Sequence, residues 1–172
     1  MTYDYNGAWS DSTAHNAPLY NSSATTTHAK SNVDSTIKTY LDAGVPPEKI
    51  IVGFPYYGRA FKEVGSTNNG LGQPFKGLPM GTWEMDIFDY HDLVDNYLTD
   101  ANYTRFWDAE GQVPYLYSSS EQIFISYDDS ESFQLKIDYI LDNNLAGAMF
   151  WELSGATNGF ELTTLLDDNL RP

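Results

Sequence analysis

Apolar residues follow two rhythms along this chain. In Ile50-Ile51-Val52-Gly53-Phe54 and Ala146-Gly147-Ala148-Met149-Phe150-Trp151 they stand side by side in short runs. Elsewhere they return every three or four positions, as in Val33, Ile37, Tyr40 and Leu41, then Phe133, Ile137, Ile140 and Leu141, and again from Phe160 to Leu170. Short runs without strict alternation predict strands buried on both faces, as in a parallel sheet covered by helices, and the second rhythm predicts amphipathic helices. Gly44 stops the first helix, Pro46-Pro47 prevents its resumption, and a strand from Ile50 to Tyr57 follows. Met1–Tyr5, released by Asn6-Gly7, reads as the end of another strand. Helix, tight loop and parallel strand make half of a βαβ unit, so the expected class is α/β.

Between the two apolar runs the regime changes. Residues 61–74 hold several Gly and Asn and no helical stripe, Gly81-Thr82-Trp83-Glu84 is compatible with the start of a strand, and Ile87, Tyr90, His91, Val94 and Leu98 predict a short helix. Pro114-Tyr115-Leu116-Tyr117 and Gln122–Tyr127 predict an antiparallel pair around a polar turn. Residues 62–127 thus read as an inserted α+β lobe, and residues 1–61 and 128–172 as the main domain. Asp128 with Glu131 has capping-box spacing for the helix that follows.

Candidate chemistry gathers at strand ends. Met1 with Tyr3, Tyr57 with Arg59, and Met149 with Trp151 are i, i+2 pairs, each presenting two side chains to one face. Were the strands parallel neighbours, the pairs would converge on one mouth, where open and closed parallel sheets bind ligands. By the same alternation Glu152 is turned away from the face of Trp151. On its own stretch, Trp151 reads more simply as a core plug. Trp9 stands in the polar loop Gly7-Ala8-Trp9-Ser10-Asp11, an unusual setting for a large aromatic, and residues 10–30 form a long Ser-, Thr- and Asn-rich loop.

Composition narrows the partners. With 24 Asp+Glu against 9 Lys+Arg the formal charge is −15, which repels nucleic-acid phosphates and anionic lipid surfaces but not a neutral polysaccharide. The 13 Tyr suit surfaces that are part apolar and part wet. There is no Cys, so disulfides and thiolate metal sites are excluded, and His15, His28 and His91 have no metal-binding spacing. No metal and no cofactor are expected. No apolar run approaches the ~20 residues of a membrane span, and no signal peptide stands at Met1. Asn21-Ser22-Ser23 and Asn102-Tyr103-Thr104 are formal glycosylation sequons.

Taken in order, Met1-Thr2-Tyr3-Asp4, Tyr57-Gly58-Arg59, Tyr127-Asp128-Asp129 before a helix and Met149-Phe150-Trp151-Glu152-Leu153 after it resemble family 18 chitinases of the bacterial type, which carry an α+β insertion. The resemblance runs through essentially the whole chain and implies the carboxyl-terminal portion of a (β/α)8 TIM barrel with an inserted small α+β lobe. Met1 coincides with the Met of the family motif. The resemblance implies chitin or chitooligosaccharides as partners, an extracellular setting, and substrate-assisted hydrolysis in which the acetamido oxygen of the sugar attacks the anomeric carbon. It further implies that Tyr3 hydrogen-bonds that oxygen and that Trp151 floors the reacting sugar. Met1 and Met149 would pack around the acetamido methyl, Asp4 and Arg59 pair beside it, Tyr57 lines the same wall, and Trp9 forms a platform on the leaving-group side. The family's catalytic signature, Asp-x-x-Asp-x-Asp-x-Glu, occurs nowhere in the sequence. One departure from the family pattern is Ala156, where Asp is common after Ser-Gly, and it is expected to loosen the cap of the last helix.

Three readings therefore stand: a chitinase portion that is active once amino-terminal strands are supplied, a non-catalytic carbohydrate-binding module, or an interaction scaffold. Free strand edges predict either association with the missing amino-terminal half of the barrel or self-association.

Overall fold

A computed structural model describes residues 1–25 and 29–171. His28, one of the three histidines considered above, lies outside them, as do part of the long loop and the final Pro172 of the main-domain range. The elements run α1 (Val33–Asp42), β1 (Ile51–Pro55), β2 (Tyr57–Lys62), β3 (Ile87–Asp89), α2 (Tyr90–Asp92), β4 (Thr104–Asp108), β5 (Val113–Ser118), β6 (Ile123–Ser126), α3 (Ser130–Asp142), β7 (Gly147–Trp151) and α4 (Glu161–Leu170).

Two sheets result. β1 and β7 pair in parallel, from Ile51 opposite Gly147 to Pro55 opposite Trp151. The other five strands form an antiparallel sheet in the order β3-β2-β6-β5-β4. Tyr56, between β1 and β2, belongs to neither strand and joins both sheets. Its N–H donates to the Trp151 carbonyl at 2.8 Å, its carbonyl accepts from the Tyr90 N–H at 2.8 Å, and its ring stacks on Phe150 at 4.7 Å. Gly155 packs against it so closely that a Cβ there would stand 2.3 Å from the Tyr56 carbonyl oxygen.

The main core unites both parts of the chain. Val33 and Ile37 of α1, Val52 and Phe54 of β1, Phe133 and Ile137 of α3, and Leu162 and Leu166 of α4 pack with Phe88, Leu116 and Ile125 of the antiparallel sheet. A second cluster of Phe61, Val64, Leu71, Tyr115, Tyr117 and Phe124 fills the outer lobe.

Several expectations are corrected. Met1–Tyr5 forms no strand; it runs beside β1, where the Thr2 hydroxyl takes both the N–H and the C=O of Gly53 at 2.7 and 2.8 Å. The strand expected to reach Tyr57 breaks at Tyr56, and Tyr57 and Arg59 lie on β2, which turns into the antiparallel sheet. β7 is half-buried rather than buried on both faces, because among the described residues only β1 pairs with it. Residues 81–84 make a turn with isolated bridges, and Ile87–Asp89 is a short strand ahead of a single α turn that runs on as a π turn, Leu93–Tyr97.

The cap of α3 is Asp129, boxed with Ser132, whereas Asp128 is wholly buried against Lys136 at 2.5 Å. The two acids are adjacent and both fit the spacing; burial separates their roles. The N-cap position of α4 is Phe160, in the left-handed region at φ 51° and without a side-chain cap; Ala156 lies four residues before it. Among the described residues, no helix is long and apolar enough to cross a membrane.

Candidate active-site cleft

The mouth where β2, β7 and the first residues of the chain meet is a cleft of about 270 Å³. Asp4, Tyr57, Arg59 and Trp151 line it, together with Trp83, Glu84, Asp89 and Glu152. Local structure explains the convergence. Gly53 lets Met1–Tyr3 lie against β1, since a Cβ there would meet the Tyr3 ring at 2.9 Å. Asp4 then takes φ 59°, a left-handed conformation that Asp tolerates better than most residues. On β2, Tyr57 and Arg59 are two residues apart and share the face that meets Asp4.

One carboxylate oxygen organises the polar wall. Asp4 Oδ1 accepts from the Tyr57 hydroxyl at 2.8 Å and from Arg59 Nε at 2.7 Å. Arg59 Nη1 donates in turn to Asp86 at 2.7 Å, and the guanidinium lies 4.9 Å over the Trp9 ring. Burial works against the charge of Arg59, but the bonds to Asp4 and Asp86 outweigh it and raise its pKa above the usual range. Burial, then the bond to Asp4, also raises the Tyr57 pKa, so its phenol stays a donor. Both bonds fall on Oδ1, and the Asp4 side chain is 37% exposed.

Tyr3 lies behind this wall, its ring edge-on to Tyr57 at 6.1 Å. Its hydroxyl donates to the Met149 sulfur at 3.9 Å, a weak acceptor for a strong donor. Burial, with Asp4 second, raises the Tyr3 pKa and keeps that proton in place.

The sequence-predicted residues thus divide. Asp4, Tyr57, Arg59 and Trp151 line the cleft, Tyr3 and Met149 pack against Tyr57, and Trp9 joins through Arg59. Met1 stands apart, 86% exposed and off the cleft lining. Glu152, expected to turn away, lines the cleft because β7 ends at Trp151 and alternation does not extend past it.

Trp83 was missed. It is 81% exposed and held by its indole N–H, which donates to Asp89 at 3.0 Å. The signal that singled out Trp9, a large aromatic in a polar turn, applies equally to Gly81-Thr82-Trp83-Glu84. Trp151, 54% exposed, is no core plug. Among the described residues no group of three or more His, Asp or Glu is placed to hold a metal ion.

Comparison with known proteins places this geometry in a family. The sequence profile of the glycosyl hydrolases family 18 matches residues 1–156. Chitinase A1 of Niallia circulans is 46% identical over 164 residues, covering 92% of this chain and 24% of that protein. Endochitinase 1 of Metarhizium robertsii is 37% identical over 159 residues, covering 92% of this chain and 35% of that protein. The solved structure of chitinase ChiA74 from Bacillus thuringiensis superposes with a TM-score of 0.93 at 39% identity, over 99% of this chain and 30% of that one. The chain therefore spans about a quarter to a third of the length of these relatives, with an α/β fold like theirs, and it belongs to the glycosyl hydrolases family 18.

Proposed function

We propose that the chain supplies the sugar-binding wall of a family 18 chitinase, engaging β-1,4-linked N-acetylglucosamine polymers. The observation that carries this reading is the cleft itself. Exposed Trp151 and Trp83 border a polar network of Tyr57, Asp4 and Arg59, and a sugar requires such apolar faces beside hydrogen-bonding edges. Tyr3, whose proton is left to a thioether, would exchange that partner for the acetamido oxygen and hold it for attack on the anomeric carbon. Met149 would pack by the acetamido methyl, Trp9 would serve the leaving-group side, and Met1 is the least supported member of the set. An extracellular setting follows from the substrate.

Protonation of the leaving oxygen needs a general acid, and the signature that provides it is absent from this sequence. General acid catalysis contributes roughly 10²–10⁴ in rate. The chain by itself is expected to bind chitohexaose without cleaving it.

In this reading β1 and β7 are neighbours in the carboxyl-terminal portion of a TIM barrel, residues 1–61 and 128–172 forming that portion and residues 62–127 the inserted lobe. Ile51 of β1 is exposed, and a groove of about 500 Å³ lies open beside Ala148, Phe150 and Leu166. Further strands, from the amino-terminal half of the barrel or from a second copy, would cover these surfaces.

Tryptophan fluorescence titrated with chitohexaose, alongside a reducing-end assay, tests the function. Saturable quenching without product is expected. No binding, or turnover abolished by Glu84→Gln or Glu152→Gln, would overturn it.

A further inference from the structure

The long loop after Trp9 contributes a residue that composition and pattern gave no reason to notice. Asn16 is fully buried, and each of its polar groups is engaged. Its side-chain oxygen accepts from the Asp4 N–H at 2.9 Å, and its side-chain amide donates to the Tyr57 carbonyl at 3.3 Å. Its backbone carbonyl accepts from the Tyr5 N–H at 3.0 Å, and its backbone N–H donates to Ser126 Oγ at 2.9 Å. Asp4 and Tyr57 also bond directly through carboxylate and phenol at 2.8 Å. One amide thus closes a ring: Asp4 backbone, Asn16, Tyr57 backbone, Tyr57 phenol, Asp4 carboxylate.

We propose that Asn16 is a positioning residue of the cleft, setting the spacing between the backbones that carry Asp4 and Tyr57. It does not line the cleft and acts only through those two residues. The ring is anchored to the lobe by a second series of bonds. Ser126 Oγ lies 3.4 Å from His15 Nδ1, and His15 Nε2–H donates to Asp108 of β4 at 2.9 Å. The three residue types are those of a hydrolytic triad, but Ser126 and His15 are completely buried, so the series is structural. It makes the separation of Asp4 and Tyr57 depend on where the antiparallel sheet sits.

Asn is suited to the position by chemistry as well as size. Ala would leave the Asp4 N–H and the Tyr57 carbonyl unpaired in a dry site. Asp keeps the shape and the acceptor for the Asp4 N–H, but at neutral pH it sets a carboxylate against the Tyr57 carbonyl. Once protonated, the introduced carboxyl regains a donor for that carbonyl. Burial favours this protonated form by raising its pKa.

The proposal rests on the sugar-binding reading, so its test pairs a ligand-dependent measurement with a ligand-free one. The wild-type chain, Asn16→Ala and Asn16→Asp are titrated with chitohexaose, and amide hydrogen exchange at Asp4 is followed without ligand. Asn16→Ala should lose protection at Asp4 and bind roughly five- to a hundredfold more weakly. Asn16→Asp should keep protection at Asp4, bind weakly near neutrality, and recover relative to wild type as pH falls from about 7 to about 5. The titratable and charged groups linked to this position are Tyr3, Asp4, Tyr57 and Arg59 on the cleft side and His15 and Asp108 on the lobe side. All are present in wild type, so the ratio of variant to wild type isolates the carboxyl introduced at position 16 together with its coupling to them.

Wild-type affinity in Asn16→Ala with protection lost, or a pH-independent deficit in Asn16→Asp, would overturn the positioning role. If Asn16→Ala does not fold, Asn16→Asp alone decides. If wild type does not bind the sugar, the cleft reading fails, and the exchange pattern at Asp4 still judges the ring.

Discussion

Lys136 offers a sharp test of how this fold tolerates buried charge. Its ammonium and the Asp128 carboxylate are wholly buried and 2.5 Å apart. At that distance and an effective dielectric of about 20, their attraction is of the order of 6–7 kcal/mol, comparable with the several kcal/mol that burial costs each ion. The pair as a whole is therefore close to neutral for stability. Burial is the larger influence on Lys136 and lowers its pKa, with Asp128 opposing. Besides Lys136, Asp128 Oδ1 accepts from the Ser132 hydroxyl at 2.7 Å, and Asp128 Oδ2 has no hydrogen-bond partner among the described residues, so the carboxylate depends mainly on the ammonium. Lys136→Met fills a similar volume and removes only the positive charge, leaving the desolvation of Asp128 uncompensated. It should cost about 3–5 kcal/mol, a large part of the ~5–15 kcal/mol that holds a domain together. At about 2–4 °C per kcal/mol, the melting temperature should fall by roughly 6–20 °C.

Adding Asp128→Asn removes the stranded charge. The Ser132 hydroxyl keeps an acceptor in the Asp129 carbonyl at 3.2 Å. The double variant should therefore recover much of the loss, its buried and unpaired amide leaving it about 1–3 kcal/mol below wild type. Thermal and urea melts of wild type, Lys136→Met, Asp128→Asn and the double variant complete the cycle. A Lys136→Met chain as stable as wild type, or a double variant no better than that single, would refute the reasoning.

Two further outcomes are expected. Asp108 is held below the usual carboxylate range; burial opposes its charge, but the hydrogen bonds from His15 and Ser22 outweigh it. A depressed folded pKa gives stability that is fully present above the unfolded value near 4 and lost as pH falls through the folded one. Asp108→Asn should thus cost about 1.5–3 kcal/mol at pH 7, in a gap that narrows below about pH 4; melts showing a constant gap would count against it. Trp83→Ala should weaken chitohexaose binding by roughly 5- to 30-fold, equivalent to about 1–2 kcal/mol, with melting unchanged. Unaltered affinity in calorimetry would remove Trp83 from the site.

Much of the architecture is written locally and could be read. α1, α3, α4, β1 and the β5–β6 hairpin follow from spacing because each buries an apolar face, and β7 follows from its apolar run although it is only half-buried. β4 escaped notice. Thr104 and Arg105 are exposed on an edge strand, and little in Thr-Arg-Phe-Trp-Asp marks a period. The end of β1 was misplaced because an apolar run does not reveal that its last residues change sheets at Tyr56.

In the cleft, Tyr57 with Arg59 and Met149 with Trp151 do share strands at i, i+2 spacing, but the first pair opens β2 and Met1–Tyr3 lies on no strand. Asn16 was not legible. Besides Tyr5, its partners are 12, 41 and 110 residues away in sequence, and bonds of that range leave no local pattern. Asp128 and Asp129 make the same point at short range, since only three-dimensional burial tells the cap from the core ion.

Tyr56 bears on how the cleft keeps its shape. A joint that donates to β7 and accepts from the start of α2, with Gly155 pressed against its carbonyl, fastens the lobe to the parallel strands. Parting the two would break both hydrogen bonds and unstack Phe150 in one event. The gauge of the trough is therefore tied to one residue that both sheets share.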